Sequence, residues 1–175
     1  DYYELKFGAD GEIDKHKARM AIKGHRGNMQ KGTHFDKTFA ATPRENTGRL
    51  MCALVVMLNL FRGAFDITKA YCWADRPADK LLALKYPDGF QEYDPTTGEE
   101  LFIILRKNLY GDPQAGRLFG KARDKALLEK FNQNGWRCTR CRMDPCLFVI
   151  VKGDRRAWML AHVDDCDIIA ETEQL

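Results

Sequence analysis

Nowhere in these 175 residues does an apolar run reach the roughly 18 needed to cross a bilayer, so no transmembrane helix and no membrane partner are expected. The opening DYYELKFGADGE is polar and acidic and lacks the apolar region of a secretory signal. There is no internal repeat and no low-complexity stretch. Both ends are abrupt, and the chain stops at ETEQL just after an apolar strand-like run, as a piece of something longer would. The CxxC of Cys138 and Cys141 lacks the second pair or the histidines that zinc normally needs, with only Cys146 nearby. A zinc module therefore stays a minor alternative. Cys72, Cys146 and Cys166 sit in or beside apolar runs, and Cys52 sits in an apolar helical one, as free thiols do in a reducing, intracellular setting.

Acidic residues are missing from one place in particular. Between Lys15 and Phe35 there are none, while Lys15, Lys17, Arg19, Lys23, Arg26 and Lys31 all fall there. The whole chain carries 28 basic and 25 acidic residues, a net charge of only +3, so this is a local bias. It suits a phosphate-rich partner, or else a solvated basic face. With 45% hydrophobic residues the chain can bury a core in one medium domain or a compact pair of subdomains.

Alternation predicts strands at 3–8 and 13–23, the second half-buried, with His16, Ala18, Met20 and Ile22 on its inner face. Residues 24–43 read as a long loop. Leu50, Leu54, Met57 and Leu58 recur at helical spacing, which predicts a buried helix over about 46–61. RGAFDITKA reads as a strand running into a turn or short helix. Strands at 81–86 and 101–105 flank a hairpin loop with turn residues Pro95 and Gly98. A second helix spans 113–135, with Pro113 in its first turn and Gly135 as its C-terminal cap. Strands at 146–151, 157–163 and 166–170 finish the order. The fold class is α+β, an antiparallel sheet packed on helices, here expected on one face.

Asp164 and Asp165 interrupt the apolar MLAHVDDCDIIA where a two-residue turn would join the last two strands. Aspartate is a good turn residue, yet hairpin turns favour Asn-Gly or Asp-Gly, and adjacent carboxylates repel unless a cation relieves them. Asp66 stands in an apolar strand, where a carboxylate needs a partner such as Lys69 or a metal. If these strands are neighbours, three carboxylates converge. Two hard cations about 3.5–4 Å apart on such a cluster perform in-line displacement at phosphorus.

These residues lie within an ordered set of motifs. KHKARMAIKG, FDKTFAATPRENTGRLMCAL, FDITKAY, YPDGFQ, LRKNLYGDPQAGRLF, MDPCLFV and HVDD resemble, in order, the landmarks of the reverse transcriptase of copia-type LTR retrotransposons. The resemblance implies the fingers and palm of a right-hand polymerase without a thumb. The fingers would be mainly 1–45 and about 80–112, the palm mainly 46–79 and 113–175. It places Asp66, Asp164 and Asp165 on the metal-binding carboxylates, for two Mg²⁺ or Mn²⁺ ions. Tyr71 falls on the aromatic beneath the sugar of the incoming nucleotide, the lesser alternative being a core aromatic at a strand end. Lys17 and Arg19 fall on the strand that grips the triphosphate, and Tyr110, Gly111 and Gln114 on the nucleotide and template pocket.

The implied partners are dNTPs, an RNA or DNA template with primer, and the rest of a Pol polyprotein (thumb, RNase H, integrase), in a cytoplasmic particle or the nucleus. The helix face of Arg117, Arg123 and Lys125 is a candidate for nucleic-acid contacts. Departures are Asp112, Pro113 and Gly116 in place of Leu, Lys and Pro, and His162 in place of Tyr. The alternatives are a catalytically inactive remnant that binds nucleic acid or protein, and a cyclase-like enzyme on a similar palm.

Overall fold

A computed structural model describes residues 2–25 and 29–172. Three antiparallel sheets carry the strands: β1 (Tyr2–Phe7) with β2 (Ile13–Arg19), β4 (Leu82–Lys85) with β5 (Phe102–Leu105), and a central sheet of five. The central order is β3 (Phe61–Asp66), β9 (Asp165–Ala170), β8 (Arg155–His162), β7 (Leu147–Lys152) and β6 (Arg137–Arg140). The two long helices are α1 (Glu45–Leu58) and α2 (Ala115–Phe131), and short 3-10 helices cover Ala70–Trp73 and Ala78–Lys80.

The central sheet is packed on both faces because its strands alternate between two cores. Phe148, Ile150, Met159, Ala161 and Cys166 meet Leu127, Leu128 and Phe131 of α2. The intervening Leu160 and Ile169 meet Met51, Leu54 and Val55 of α1. The expectation of helices on one face is therefore corrected: one helix lies on each. The antiparallel α+β character stands.

Several element readings change as well. β2 ends at Arg19 rather than at 23, and is exposed on both faces apart from the half-buried Lys17. Its alternation marks a two-stranded ribbon and not a buried face. α1 stops at Leu58, where Asn59 takes the left-handed conformation and caps Val55. Met51 is its one fully buried residue, and Val56 is 83% exposed. Apolar residues all round a helix predict burial on every side, but the sheet covers only one. α2 spans fewer residues than expected. Pro113 lies outside it, and Asn132 rather than Gly135 caps its end. β6 was not anticipated.

α1 begins without a side-chain cap of its own. Asp144 supplies one from a hundred residues away. Its Oδ2 accepts the Arg44 N–H at 2.9 Å and the Thr47 hydroxyl at 2.6 Å, and its Oδ1 accepts the Cys146 N–H at 2.9 Å. Burial pulls this carboxyl upward, but the three hydrogen bonds outweigh it and hold the group below the ordinary aspartate range. A depressed folded value means the stabilisation is present above about pH 4 and is lost as pH falls through the folded value. Asp144→Ala is expected to lower stability by about 2–3 kcal/mol near neutrality. In urea titrations the gap between variant and parent should narrow as the pH drops below about 4.

Candidate active site

The hairpin that carries the candidate residues is set by register. β9 pairs with β8 on one side and β3 on the other, so Asp165 stands opposite both His162 and Asp66. Residues directly opposed across antiparallel strands share a face, with Cβ atoms about 4.5–5.5 Å apart. Asp66, Asp165 and His162 thus form one row across three strands. All three are exposed, because α1 covers only the far part of this face. Asp66 therefore lies at the exposed end of an edge strand, which corrects the reading of it as a carboxylate in a buried strand.

The groove over the row has a volume of about 450 Å³ and is lined by Arg62, Ala64, Phe65, Leu160 and Asp167 as well. Arg62 holds Asp167 with two hydrogen bonds, at 2.9 and 2.8 Å. Among the described residues, neither the Asp66 nor the Asp165 carboxylate takes a hydrogen bond or an ion pair.

The turn itself is shifted by one residue from expectation. β8 ends at His162, the turn is Val163–Asp164, and Asp165 belongs to β9. Val163 sits at φ 54°. Positive φ is what tight hairpins demand, but a β-branched residue adopts it only under strain. The Asp164 carbonyl accepts the Ile67 N–H at 3.0 Å, which ties the hairpin tip to the end of β3. All three sequence-predicted carboxylates are therefore gathered at one end of one sheet.

They offer hard oxygen donors, the kind that magnesium and manganese prefer. Among the described residues no three ligating side chains are close enough to close a metal shell by themselves. An ion that keeps waters and substrate oxygens in its shell needs only such a partial set.

Three of the nucleotide-side candidates, Tyr71, Tyr110 and Arg19, are in contact with one another in series. Tyr71 lies in the 3-10 helix after β3, with its ring edge-on to Tyr110 at 5.1 Å and to Phe119 at 6.2 Å. Its hydroxyl pKa is raised, first by burial, then by the charge of Asp164, then by Tyr110. The Arg19 guanidinium lies over the Tyr110 ring, 5.8 Å from its centre.

Tyr110 and Gly111 cross the segment after β2. The Tyr110 carbonyl accepts the Ile22 N–H at 2.7 Å. Gly111 has φ +83°, and a Cβ there would stand 2.1 Å from the Ile22 carbonyl oxygen, so only glycine lets the chains pass. Lys17 shares the Arg19 side of β2 and pairs with Glu4 at 3.6 Å. Gln114 precedes α2, but it is 4% exposed, deeper than a pocket lining would be.

Other expectations fare differently. On α2, Lys125 pairs with Glu129 and Arg117 reaches the Phe39 carbonyl, while Arg123 is buried and so does not belong to an open nucleic-acid face. All six cysteines are free, and Cys138, Cys146 and Cys166 are buried. Three polar features escaped sequence reading: the Asp144 cap, a fully buried ion pair between Arg76 and Asp112, and the Arg123–Asp124–Arg140 cluster. Only the second left a trace, since Asp112 is itself a departure from the motif.

A family model described as "Reverse transcriptase (RNA-dependent DNA polymerase)" matches residues 2–174. The chain belongs to the reverse transcriptase family. It is also similar to the "Retrovirus-related Pol polyprotein from transposon RE2" of Arabidopsis thaliana, 26% identical over 164 residues. That match covers 93% of this chain and 10% of the relative, so the chain spans about a tenth of the relative's length. No solved structure gives a significant match. The resemblance read from the motifs therefore holds.

Proposed function

We propose that this chain is the RNA-directed DNA polymerase domain of a copia-type retrotransposon polyprotein, adding deoxynucleotides to a primer 3′-hydroxyl with release of pyrophosphate. The observation that carries this reading is the pairing of Asp66 with Asp165 in register, with Asp164 on the adjoining turn. Asp66, Asp164 and Asp165 are the residues that would hold Mg²⁺ or Mn²⁺, and bound metal would supply Lewis-acid stabilisation of phosphoryl oxygens.

The chain's own residues do the aligning. Tyr71 offers its ring beneath the sugar of the incoming nucleotide, where a 2′-hydroxyl would collide with it. Arg19, braced on Tyr110, faces the triphosphate together with Lys17. Tyr110 and Gly111 tie the segment after β2 to the loop before α2 by crossing it. In this reading the ribbon and the β4–β5 hairpin are fingers, and the central sheet with α1 and α2 is palm. Positioning of this kind, more than covalent chemistry, is what phosphoryl and nucleotidyl transfer require. Contacts to template and primer would run mainly to backbone phosphates, and a polyprotein partner would supply the thumb.

The test is extension of oligo(dT) on poly(rA) with labelled dTTP in Mg²⁺ or Mn²⁺, by the chain alone and joined to its downstream Pol segment. Template-dependent product is expected, and longer product from the joined form. No incorporation by either form would overturn the reading in favour of an inactive remnant.

A further inference from the structure

The turn that carries Asp164 is gripped from behind by a residue that the polymerase reading does not use. Arg123, in the middle of α2, is 7% exposed and donates from Nη1 to the Val163 carbonyl at 2.9 Å. Its Nε and Nη2 both reach Oδ1 of Asp124, at 3.1 and 2.8 Å. Asp124 is in turn held through Oδ2 by Arg140 of β6. The guanidinium is thus clamped on one edge and bonded to the turn on the other. A planar fork with fixed donors transmits position in a way that a flexible ammonium does not.

We infer that Arg123 is a positioning residue for the candidate catalytic carboxylates, holding the Val163–Asp164 turn in place through the Val163 carbonyl. The inference rests on the proposed polymerase reading for its functional meaning. Its structural content stands apart from that reading.

Two successive carbonyls of the turn are taken by different elements. Val163 is held by Arg123 of α2, and Asp164 by the Ile67 N–H beyond β3. Together they fix the peptide planes from which the side chains of Asp164 and Asp165 project. Val163 is strained at its positive φ, so the turn would relax if released. Neutralising Asp124 is not a sufficient reason for Arg123, because Arg140 already pairs with that carboxylate.

A cavity of about 260 Å³ is lined by both Arg123 and Val163. Truncating Arg123 would enlarge it, and a small guanidinium added from solution could then enter.

The experiment compares Arg123→Ala and Arg123→Lys with the parent by amide hydrogen exchange and by primer extension. In Arg123→Ala, exchange in the segment spanning 161–167 should quicken by about tenfold or more, while strands β6 and β7 keep their protection. Millimolar methylguanidinium should slow it again. In extension assays kcat should fall by about a hundredfold, with KM for dNTP little changed, and methylguanidinium should restore part of it.

If Arg123→Ala does not fold, Arg123→Lys decides. It keeps a cation facing Asp124 but cannot also hold the Val163 carbonyl, so the same local quickening is expected. Unchanged exchange at the turn in a folded variant overturns the inference. So does a uniform loss of protection that methylguanidinium does not reverse. If the parent extends no primer, the polymerase reading fails, and the exchange experiment still decides whether Arg123 holds the turn.

Discussion

Asp164→Asn is expected to cut primer extension by at least about a hundredfold, about 3 kcal/mol of transition-state stabilisation. The change keeps the shape of the side chain and removes its charge. It should leave the fold alone, because the bond that ties this residue to β3 runs through its backbone carbonyl and the Ile67 N–H. A melting temperature equal to the parent's, with extension lost, therefore separates chemistry from folding. Asp154→Asn is the matched control. Asp154 lies between β7 and β8, at the end of β8 opposite His162, and should extend primer as the parent does. Equal extension by the Asp164→Asn protein and the parent would sink the assignment of roles, whatever the family.

The parts of this site that were legible in the sequence are local. Asp164 and Asp165 stand out as carboxylates in an apolar run, and the strands on either side follow from the apolar runs at 157–163 and 166–170. The turn was misplaced by one because Val163 takes the positive φ, and turn chemistry would never nominate a β-branched residue for it. The register that sets Asp66 against Asp165 is non-local, and no pattern within either strand encodes it. Motif order was the one indirect sign that the two strands belong together.

Arg123 shows the opposite failure. Its position among Arg117 and Lys125 reads as a charged helix face, while its partners Asp124, Arg140 and Val163 meet only in the folded chain. α1 and β2 were misjudged for one shared reason. Periodicity says which residues could face a core, and tertiary packing decides whether a core lies there.

Removing either partner of the Arg76–Asp112 pair is expected to cost about 3–5 kcal/mol, lowering the melting temperature by about 10 °C or more. Both side chains are wholly shielded from solvent, so whichever charge remains is stranded. Burial lowers the Arg76 pKa, yet a guanidinium stays charged and cannot escape the penalty by losing its proton. Arg76 also donates to the carbonyls of Lys80 at 2.9 Å and His34 at 3.1 Å, and Asp112 accepts the Gln114 N–H at 3.1 Å. The pair therefore joins the loop before α2 to two distant segments. That loop carries Tyr110, the contact between Arg19 and Tyr71.

In the double variant Arg76→Leu/Asp112→Leu no charge is stranded, and position 112 takes the residue of the motif it departs from. Its cost should fall to about 1–3 kcal/mol, set by the carbonyls that Arg76 no longer reaches. The cycle should then show a coupling of about 3 kcal/mol or more between the two positions. Additive single and double effects in chemical denaturation would mean that the pair is not a unit. The Tyr110 loop would then owe its place to the close crossing at Gly111, the Ile22–Tyr110 hydrogen bond and the Tyr71 ring.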